Sequence, residues 1–220
     1  TWNLDGDFSG FYPRYNIAPS QDVPVIVHKE GRNELRPMRW GLVPSWSQDP
    51  SVGQRMINAR SETLLDKASF KQLVSSRRCL VPADGFYEWR RDGNRKVPMW
   101  IHLKSRKPFA FPGLWDCWID RDTASELYTF TIITTRANGL VGRIHDRMPV
   151  IYDAAMGRQW LGTSLGTRAM ELGLVLQPLP SERMAAHEVS TLVNSPENDS
   201  VACIEPVSLN QMYKRQLPLL

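Results

Sequence analysis

Four short stretches of this chain combine polar or titratable side chains with turn-forming and aromatic residues. They are residues 14–19 (RYNIAP), 57–63 (INARSET), 83–89 (ADGFYEW) and 144–150 (IHDRMPV). A core that only packs does not need amide, carboxyl, imidazole and guanidinium groups in such company. Since the stretches are far apart in sequence, we predict that loops and strand ends bring them together in one polar pocket.

Glu88 is the first candidate for proton transfer. In a strand, Phe86 and Glu88 face one side while Tyr87 faces the other. A carboxylate beside Phe86 loses part of its hydration, and its pKa then rises toward the range that is useful in acid–base catalysis. The alternative is a hairpin glutamate on a solvated face, paired with Arg90 or Arg95. From this residue alone, the alternative is the more frequent outcome.

His145 is the second candidate, because imidazole titrates near neutral pH and can donate or accept a proton there. Pro149 restricts the backbone of the segment that carries it. The alternative is a turn histidine that bonds only to the backbone.

Asn58 and Arg60 form a third candidate set in a short segment before a predicted helix. The amide of Asn58 both donates and accepts hydrogen bonds, and the guanidinium of Arg60 fits a phosphate group. The alternative assigns helix capping to Asn58 and an ion pair with Glu62 to Arg60. The residues alone leave these two interpretations equally open.

Aromatic and basic residues add a possible nucleic-acid surface. Residues 40–46 (WGLVPSW) contain two tryptophans, of which Trp40 is expected in the core and Trp46 on the surface, where it could stack on bases. Basic pairs could line a groove for phosphates, although each pair alone is more often a solvated surface. These pairs are Arg77/Arg78, Arg90/Arg91, Arg95/Lys96 and Arg143/Arg147.

Composition narrows the class of protein. The chain has 220 residues, 42% of them hydrophobic and 23% charged, which suits one domain with a sizeable core. Its net charge of +4 permits a nucleic-acid partner without requiring one. Three cysteines without CxxC spacing and four scattered histidines predict neither a zinc site nor a disulfide framework, and we expect no metal or cofactor. Without a signal peptide or an apolar run long enough for a membrane span, we expect a cytoplasmic protein, associated with the nucleoid.

The pattern along the chain is rich in strands, with a few helices and no regular strand–helix alternation. It predicts strands at 23–28, 35–43, 79–81, 109–115 and 127–134, a hairpin of 86–91 and 97–103 around Asp92-Gly93-Asn94, and a final strand at 202–207. It predicts helices within 62–75, from Asp153 to Leu161, and at 182–187. The predicted fold class is α+β, a single domain over residues 1–220 with an antiparallel, barrel-like sheet and peripheral helices.

Five motifs in one order resemble the SRAP family, the SOS-response-associated peptidase-like proteins that process abasic sites in DNA. They are YNIAP, WGLVPSW, INARSET, ADGFYEW and HDRMP, and the likeness runs from about residue 14 to the end of the last predicted strand. Each motif is weak alone, but five in order are specific. The resemblance implies binding of single-stranded DNA and a covalent crosslink to abasic sites, made by a cysteine directly after the initiator methionine.

The resemblance also implies roles for particular residues. Glu88 and His145 match residues that transfer protons, and Asn58 matches an asparagine that senses the abasic sugar and orients the cysteine. The positions expected to contact DNA are Asn16, Pro44, Trp46, Arg60, Trp89 and Arg147. The family opens Met-Cys-Gly-Arg, whereas this sequence opens Thr-Trp-Asn-Leu-Asp.

Three functions remain open at this point. The first is a crosslinker whose cysteine lies upstream of Thr1, which we favour because the other motifs are intact. The second is a non-catalytic binder of damaged or single-stranded DNA that has lost its nucleophile. The third is a thiol autopeptidase that removes its own N-terminal residues. We expect a monomer, because no heptad or interface stripe is evident.

Overall fold

The computed structural model describes residues 4–5, 10–162 and 169–208. Within these ranges it has eleven strands and four short α-helices. The strands are β1 (Leu4–Asp5), β2 (Asp22–Lys29), β3 (Arg32–Trp40), β4 (Asn58–Arg60), β5 (Arg78–Ala83), β6 (Gly85–Asp92), β7 (Arg95–Leu103), β8 (Phe109–Ile119), β9 (Glu126–Arg136), β10 (Arg147–Pro149) and β11 (Met184–Glu188). The helices are α1 (Ala68–Lys71), α2 (Leu73–Ser76), α3 (Ala154–Leu161) and α4 (Ala169–Val175).

Five strands close into a barrel. The strands β3, β2, β5, β8 and β9 pair in that order, each antiparallel to the next. The ring closes because β9 also pairs with β3, in parallel, through Arg39 with Thr129 and Trp40 with Phe130. The predicted α+β class with a barrel-like sheet is therefore confirmed, with one parallel seam that the hydrophobic pattern did not reveal.

Alternating apolar residues fill the barrel. Val23, Val25 and Val27 on β2 belong to a buried cluster with residues of all four other barrel strands, among them Phe130 and Ile132 of β9. Side chains in alternate positions face outward, where a second cluster packs them against the helices. Strands such as β5 and the first half of β8 contribute to both cores, which explains why they are nearly continuous apolar runs. In contrast, β3 is mostly polar and only partly buried.

A second sheet of three antiparallel strands, in the order β11-β7-β6, packs against the barrel. The predicted hairpin at Asp92-Gly93-Asn94 is confirmed, since Asp92 pairs with Arg95. Phe86 meets Phe111 of the barrel edge to face at 6.0 Å, whereas Tyr87 on the opposite face packs 4.8 Å from Trp100. The alternation predicted for this motif is thus observed, and it places Glu88 on the barrel side.

Two predictions near the C-terminus are wrong. Residues 182–187 do not form one helix, because Ser181–Arg183 make only a single 3-10 turn and Met184–Glu188 form β11, which pairs with β7. Residues 202–207 are not a strand, because Val201–Cys203 form a 3-10 helix and only Pro206 bridges to Val189. In both places, pairing with distant residues overrides the local preference.

Two boundaries also differ. The helix predicted within residues 62–75 is broken into a 3-10 turn, Ser61–Thr63, and the four-residue helices α1 and α2. The strand predicted at 35–43 ends at Trp40, because Gly41 adopts a φ of +129° that turns the chain away from the sheet.

The loop that follows β3 is held by two glycines whose backbones touch. A Cβ on Gly41 would lie 2.6 Å from the carbonyl oxygen of Gly53, and a Cβ on Gly53 would lie 2.7 Å from that of Gly41. The loop is closed further by Leu42, whose N–H donates to the carbonyl of Met56 at 3.1 Å. After this closed loop the chain pairs with β9 again, so that β4 follows β3 along the same edge of β9.

We expect Gly41→Ala to lower the free energy of unfolding by about 2–4 kcal/mol, because it combines a strained φ with a clash against backbone that cannot rotate away. Thermal unfolding should show a Tm lower by roughly 5–10 °C. Gly31→Ala is the matched control, since Gly31 has a φ of +80° but open space around it. Equal effects in the two variants would contradict the importance of the Gly41–Gly53 contact.

Candidate active site

Glu88 and His145 meet where the second sheet joins the barrel. The carboxylate of Glu88 lies on the face of β6 that also carries Phe86, and its side chain is 24% exposed. Its Oε1 is 3.8 Å from Nδ1 of His145. The two residues most suited to proton transfer by type are therefore neighbours, although 57 positions of sequence separate them.

Burial raises the pKa of Glu88. The charge of His145 and the backbone N–H of Trp89 work in the opposite direction, and the nearby carboxylate of Asp146 adds to the rise. Burial prevails, so that Glu88 keeps its proton to a higher pH than an ordinary surface glutamate. A raised pKa moves this carboxyl group toward the range in which it can both give and take a proton in catalysis.

His145 stands at the end of a tightly bonded turn. The side chain of Asn138 accepts hydrogen bonds from the N–H groups of Leu140 and Val141, at 3.0 and 2.9 Å, and the N–H of His145 donates to the carbonyl of Val141 at 2.9 Å. The backbone is therefore fixed, while the imidazole itself is 46% exposed.

The Nδ1 atom of His145 has several polar neighbours. It lies 3.1 Å from the backbone nitrogen of Arg147 and 3.2 Å from the carbonyl oxygen of the same residue. The carboxylates of Asp146, at 3.3 Å, and Glu88 also face it. Backbone and acidic groups together surround this side of the ring.

Arg147 is committed to an internal ion pair. Its two terminal nitrogens reach both carboxylate oxygens of Glu62 at 3.0 Å, and one also donates to the carbonyl of Thr134 at 2.7 Å. Burial acts to raise the pKa of Glu62, but the hydrogen bonds from Arg147 outweigh it and hold the pKa below its usual range. Arg147 therefore ties β10 to the Ser61–Thr63 turn, and we do not include it among the proposed contacts with DNA.

Asn58 and Arg60 lie on β4 at the rim of the barrel. Their side chains are exposed on one face while Ala59 between them is buried, and Arg60 pairs with Thr134 of β9. Arg60 makes no hydrogen bond or ion pair with any described residue, because its expected partner Glu62 binds Arg147. The alternative of a capped helix with an Arg60–Glu62 pair is wrong.

A series of contacts connects these groups. Glu88 neighbours His145, whose ring accepts from the backbone of Arg147. The guanidinium of Arg147 bonds to Thr134, and Thr134 is the strand partner of Arg60. The structure therefore places Glu88, His145 and Arg60 around one edge of the barrel.

Asn16 has a structural position. It is 5% exposed, and its side-chain nitrogen donates to the carbonyls of Val193, Ser195 and Asn198, at 3.1, 3.0 and 3.0 Å. Its backbone N–H donates to the carboxylate of Asp199 at 2.9 Å. Because these partners engage its amide protons, we do not include Asn16 among the proposed contacts with DNA.

Asp199 is a residue that the sequence analysis did not single out. Its carboxylate accepts from the N–H groups of Tyr15 and Asn16 and pairs with Arg14. Tyr87 completes the attachment, since its hydroxyl donates to the carbonyl of Tyr15 at 2.7 Å. Residues 14–16 are thereby fixed beside β6, the strand that carries Glu88.

Trp46 stands at the tip of an anchored turn and is 63% exposed. The turn is held by the N–H of Ser45, which donates to Asp116, and by Trp118, whose Nε1 donates to the carbonyl of Ser47 at 2.8 Å. Pro44 at its base is buried, so it shapes the turn and does not present a surface. The exposure predicted for Trp46 is observed.

Trp46 lies at a different level of the barrel from the Glu88–His145 pair. Its turn attaches to β9 through the N–H of Val43, which donates to the hydroxyl of Thr129. Thr129 is five residues before Thr134, a distance of about 17 Å along a strand.

Trp89 is half-buried on the face of β6 opposite to Glu88. Its Nε1 donates to the side chain of Asn194 at 2.9 Å, and its ring packs with a small cluster around Trp100 and Val193. Trp89 therefore contributes to packing while part of it stays exposed, and its role in binding DNA stays a prediction.

Among the residues that the structure describes, no three His, Cys, Asp or Glu side chains are grouped so as to hold a metal ion. Cys79 and Cys203 are buried and Cys117 is half-buried, and burial raises the pKa of Cys79. These thiols are not placed to act as nucleophiles. None of the described helices is long and apolar enough to cross a membrane.

We expect Glu88→Gln to stabilise the protein at about pH 8 and to have little effect near pH 4. Because burial raises the pKa of Glu88 in the folded state, the folded protein holds this proton more tightly than the unfolded chain. Wild-type stability therefore falls as the pH rises from the unfolded pKa through the folded pKa, and glutamine does not suffer that decrease. Thermal unfolding at both pH values measures the difference.

Glu205→Gln is the control for that measurement, because Glu205 is exposed. It should leave the Tm unchanged at both pH values. A Glu88→Gln protein that melts below the wild type at pH 8 would show that the carboxylate is not destabilised by its burial.

Comparisons with known proteins agree with this arrangement. The profile of the SRAP family, SOS response associated peptidase (SRAP), matches residues 3–196. Abasic site processing protein YoqW of Bacillus subtilis (strain 168) is 47% identical over 196 residues, which cover 89% of this chain and 87% of the relative. Abasic site processing protein HMCES of Gallus gallus is 36% identical, over 94% of this chain and 69% of its own. A crystal structure of a protein from Bacteroides thetaiotaomicron superposes with a TM-score of 0.78 at 31% identity, covering 86% of this chain and 82% of the other. The chain belongs to the SRAP family.

Proposed function

We propose that this protein binds single-stranded DNA and processes abasic sites by forming a covalent thiazolidine between the opened sugar and an N-terminal cysteine. The observation that carries the proposal is the pair of Glu88 and His145, 3.8 Å apart at the barrel rim beside the exposed Asn58 and Arg60. The names of the relatives, abasic site processing proteins, support the choice of substrate.

The chemistry needs an amine and a thiol on one residue. The ring-opened abasic sugar carries an aldehyde, and an α-amine with a pKa of about 7.7–8.0 keeps roughly a tenth of its population unprotonated and able to attack it at pH 7. Amine and aldehyde take up one proton to give an iminium ion and release water; the thiol then adds to the carbon of the C=N bond and gives up its proton, which balances the proton taken up. No bond is oxidised or reduced, so the reaction asks the protein only for proton transfer and orientation.

Glu88 and His145 are suited to those proton transfers. Glu88 in its protonated form can donate to the hydroxyl group that leaves as water, and its carboxylate can then accept the proton of the attacking thiol. The exposed imidazole of His145 can protonate the ring oxygen as the sugar opens, and the proton that the C1′ hydroxyl gives up restores the imidazole. Glu88 is restored by the proton of the thiol.

Asn58 and Arg60 are suited to holding the substrate. Arg60 is a free guanidinium at the rim, and a phosphate beside the abasic sugar is the anion it would meet. Asn58, two residues earlier on the same face of β4, offers a donor and an acceptor for the sugar hydroxyls. Because we propose DNA as the partner, we also propose that the protein is associated with the nucleoid.

We expect the protein, translated from its own start codon, to form an adduct with an abasic single-stranded oligonucleotide that survives denaturation and appears in the intact mass. Glu88→Gln should slow adduct formation by about 100-fold, the usual contribution of one general acid–base group. Glu205→Gln is the matched control and should react as the wild type does. A wild-type protein without an adduct, or an undiminished rate in Glu88→Gln, would contradict the proposal.

A polypeptide of residues 1–220 has no cysteine beside its first residue. We expect this polypeptide to bind abasic single-stranded DNA in a salt-sensitive manner but to form no stable adduct. A denaturation-resistant adduct of residues 1–220 would show that another residue is the nucleophile.

A further inference from the structure

A second cationic feature lies away from the proposed active site. It is a cleft of about 330 Å³ lined by Leu103, Lys104, Ser105, Lys107 and Arg183. The cleft opens where β7 ends and where the chain enters β11. We call it the basic cleft.

The backbone holds the cations of the basic cleft around one opening. The N–H of Lys104 donates to the carbonyl of Arg183 at 2.9 Å, which joins the loop after β7 to the start of β11. The loop then turns sharply at Arg106, whose φ is +55°, and the N–H of Lys107 donates to the hydroxyl of Ser105. Lys104, Lys107 and Arg183 are therefore adjacent, although Arg183 is distant from the lysines in sequence.

These three cations are not neutralised within the protein. In the described part of the chain, the side chains of Lys104, Lys107 and Arg183 form no hydrogen bond and no ion pair, and all three are exposed. The adjacent acid, Glu182, accepts a hydrogen bond from Ser181. The basic cleft therefore offers a concentrated positive charge to an anion from outside.

The basic cleft is connected to the turn that carries His145. Asn138, at the start of that turn, donates to the carbonyl of Leu179 at 2.7 Å and lies 3.1 Å from the sulfur of Met184. The segment that carries Arg183 thus packs directly against the His145 turn. Along β7, Lys104 is five residues beyond Met99, the strand partner of Glu88, which corresponds to about 17 Å.

We propose that the basic cleft binds backbone phosphate of the same DNA strand, a few nucleotides away from the abasic site held at Glu88 and His145. This inference rests on the proposed function. A separation of about 17 Å spans roughly three to five nucleotides, within the length of strand that a single small barrel domain can cover. Ammonium and guanidinium groups around an open cleft suit phosphate, and they read no base sequence.

The test compares Lys104→Gln/Lys107→Gln with Lys67→Gln/Lys71→Gln. The second pair is the matched control, because it removes the same charge from exposed lysines of the α1 region, away from the cleft. Fluorescence anisotropy measures binding of single-stranded oligonucleotides of about 4 and about 15 nucleotides, each with a stable abasic analogue at its centre, so that the short strand extends at most about two nucleotides beyond it. Measurements at low and moderate salt give the salt dependence.

We expect the cleft variant to bind the long oligonucleotide about tenfold more weakly, with a salt slope smaller by about 0.7 for each phosphate that is no longer neutralised. It should bind the short oligonucleotide as the wild type does, because a short strand does not reach the cleft. The control variant should match the wild type with both lengths, and equal melting temperatures show that all variants are folded.

Two results would overturn the inference. An unchanged affinity of the cleft variant for the long strand would show that no phosphate binds there, and equally weakened binding in both double variants would show only a general effect of charge. Failure of the proposed function would give a different result, because Arg60→Gln would then leave binding of the short oligonucleotide unaffected.

Discussion

The pairing of β9 along both of its edges is the constraint on which the site depends. On one edge β9 pairs first with β3, which closes the barrel, and then with β4. On the other edge it pairs with β8 and then with β10. Thr134 accordingly has Arg60 as its partner on one side and Pro149 on the other. Two motifs that lie far apart in sequence become neighbours because one strand binds both.

The polar groups at this rim differ in the interactions that offset their loss of hydration. Arg147 and Glu62 form a bidentate ion pair, and Arg147 makes further hydrogen bonds. These interactions offset the cost of removing the two charges from water. Glu88 has no such partner; only the imidazole of His145 at 3.8 Å and the N–H of Trp89 oppose the effect of its burial. A carboxyl group kept in this state costs stability, and under the proposed function its proton would serve in catalysis. The Arg147–Glu62 pair therefore stabilises the rim, whereas the nearby Glu88 is the residue of the proposed chemistry.

Sequence patterns predicted whatever depended on local period and turn chemistry. The hairpin at Asp92-Gly93-Asn94, the facing of Phe86 and Glu88, and the exposure of Trp46 follow from alternation and from turn residues. The clamp between Asn16 and Asp199 could not be predicted, because its partners are 183 positions apart and neither has a local signal. The sequence did not predict strand β11 for the same reason, because β11 forms by pairing with the distant β7 and its own residues carry no strand pattern. For Asn16 and Arg147, which the motifs predict as DNA contacts, the structure shows bonds to Val193 and to Glu62 that the sequence pattern did not reveal.

The same distinction applies to positive charge. Arg77 pairs with Asp116 and lies over the ring of Trp115, and Arg78 lies over Trp160, so the fold itself engages this basic doublet. A doublet in sequence shows that charge is present but not whether an internal acid or ring already engages it. Phosphate attracts the cations that remain uncompensated, since a paired guanidinium would have to give up its partner first. Among the described residues, Arg60 and the cations of the basic cleft meet this condition, as do other exposed basic residues such as Arg91 and Arg143. The separation of Arg60 from the basic cleft along the surface, rather than the net charge of the chain, would set the length of strand that the protein engages.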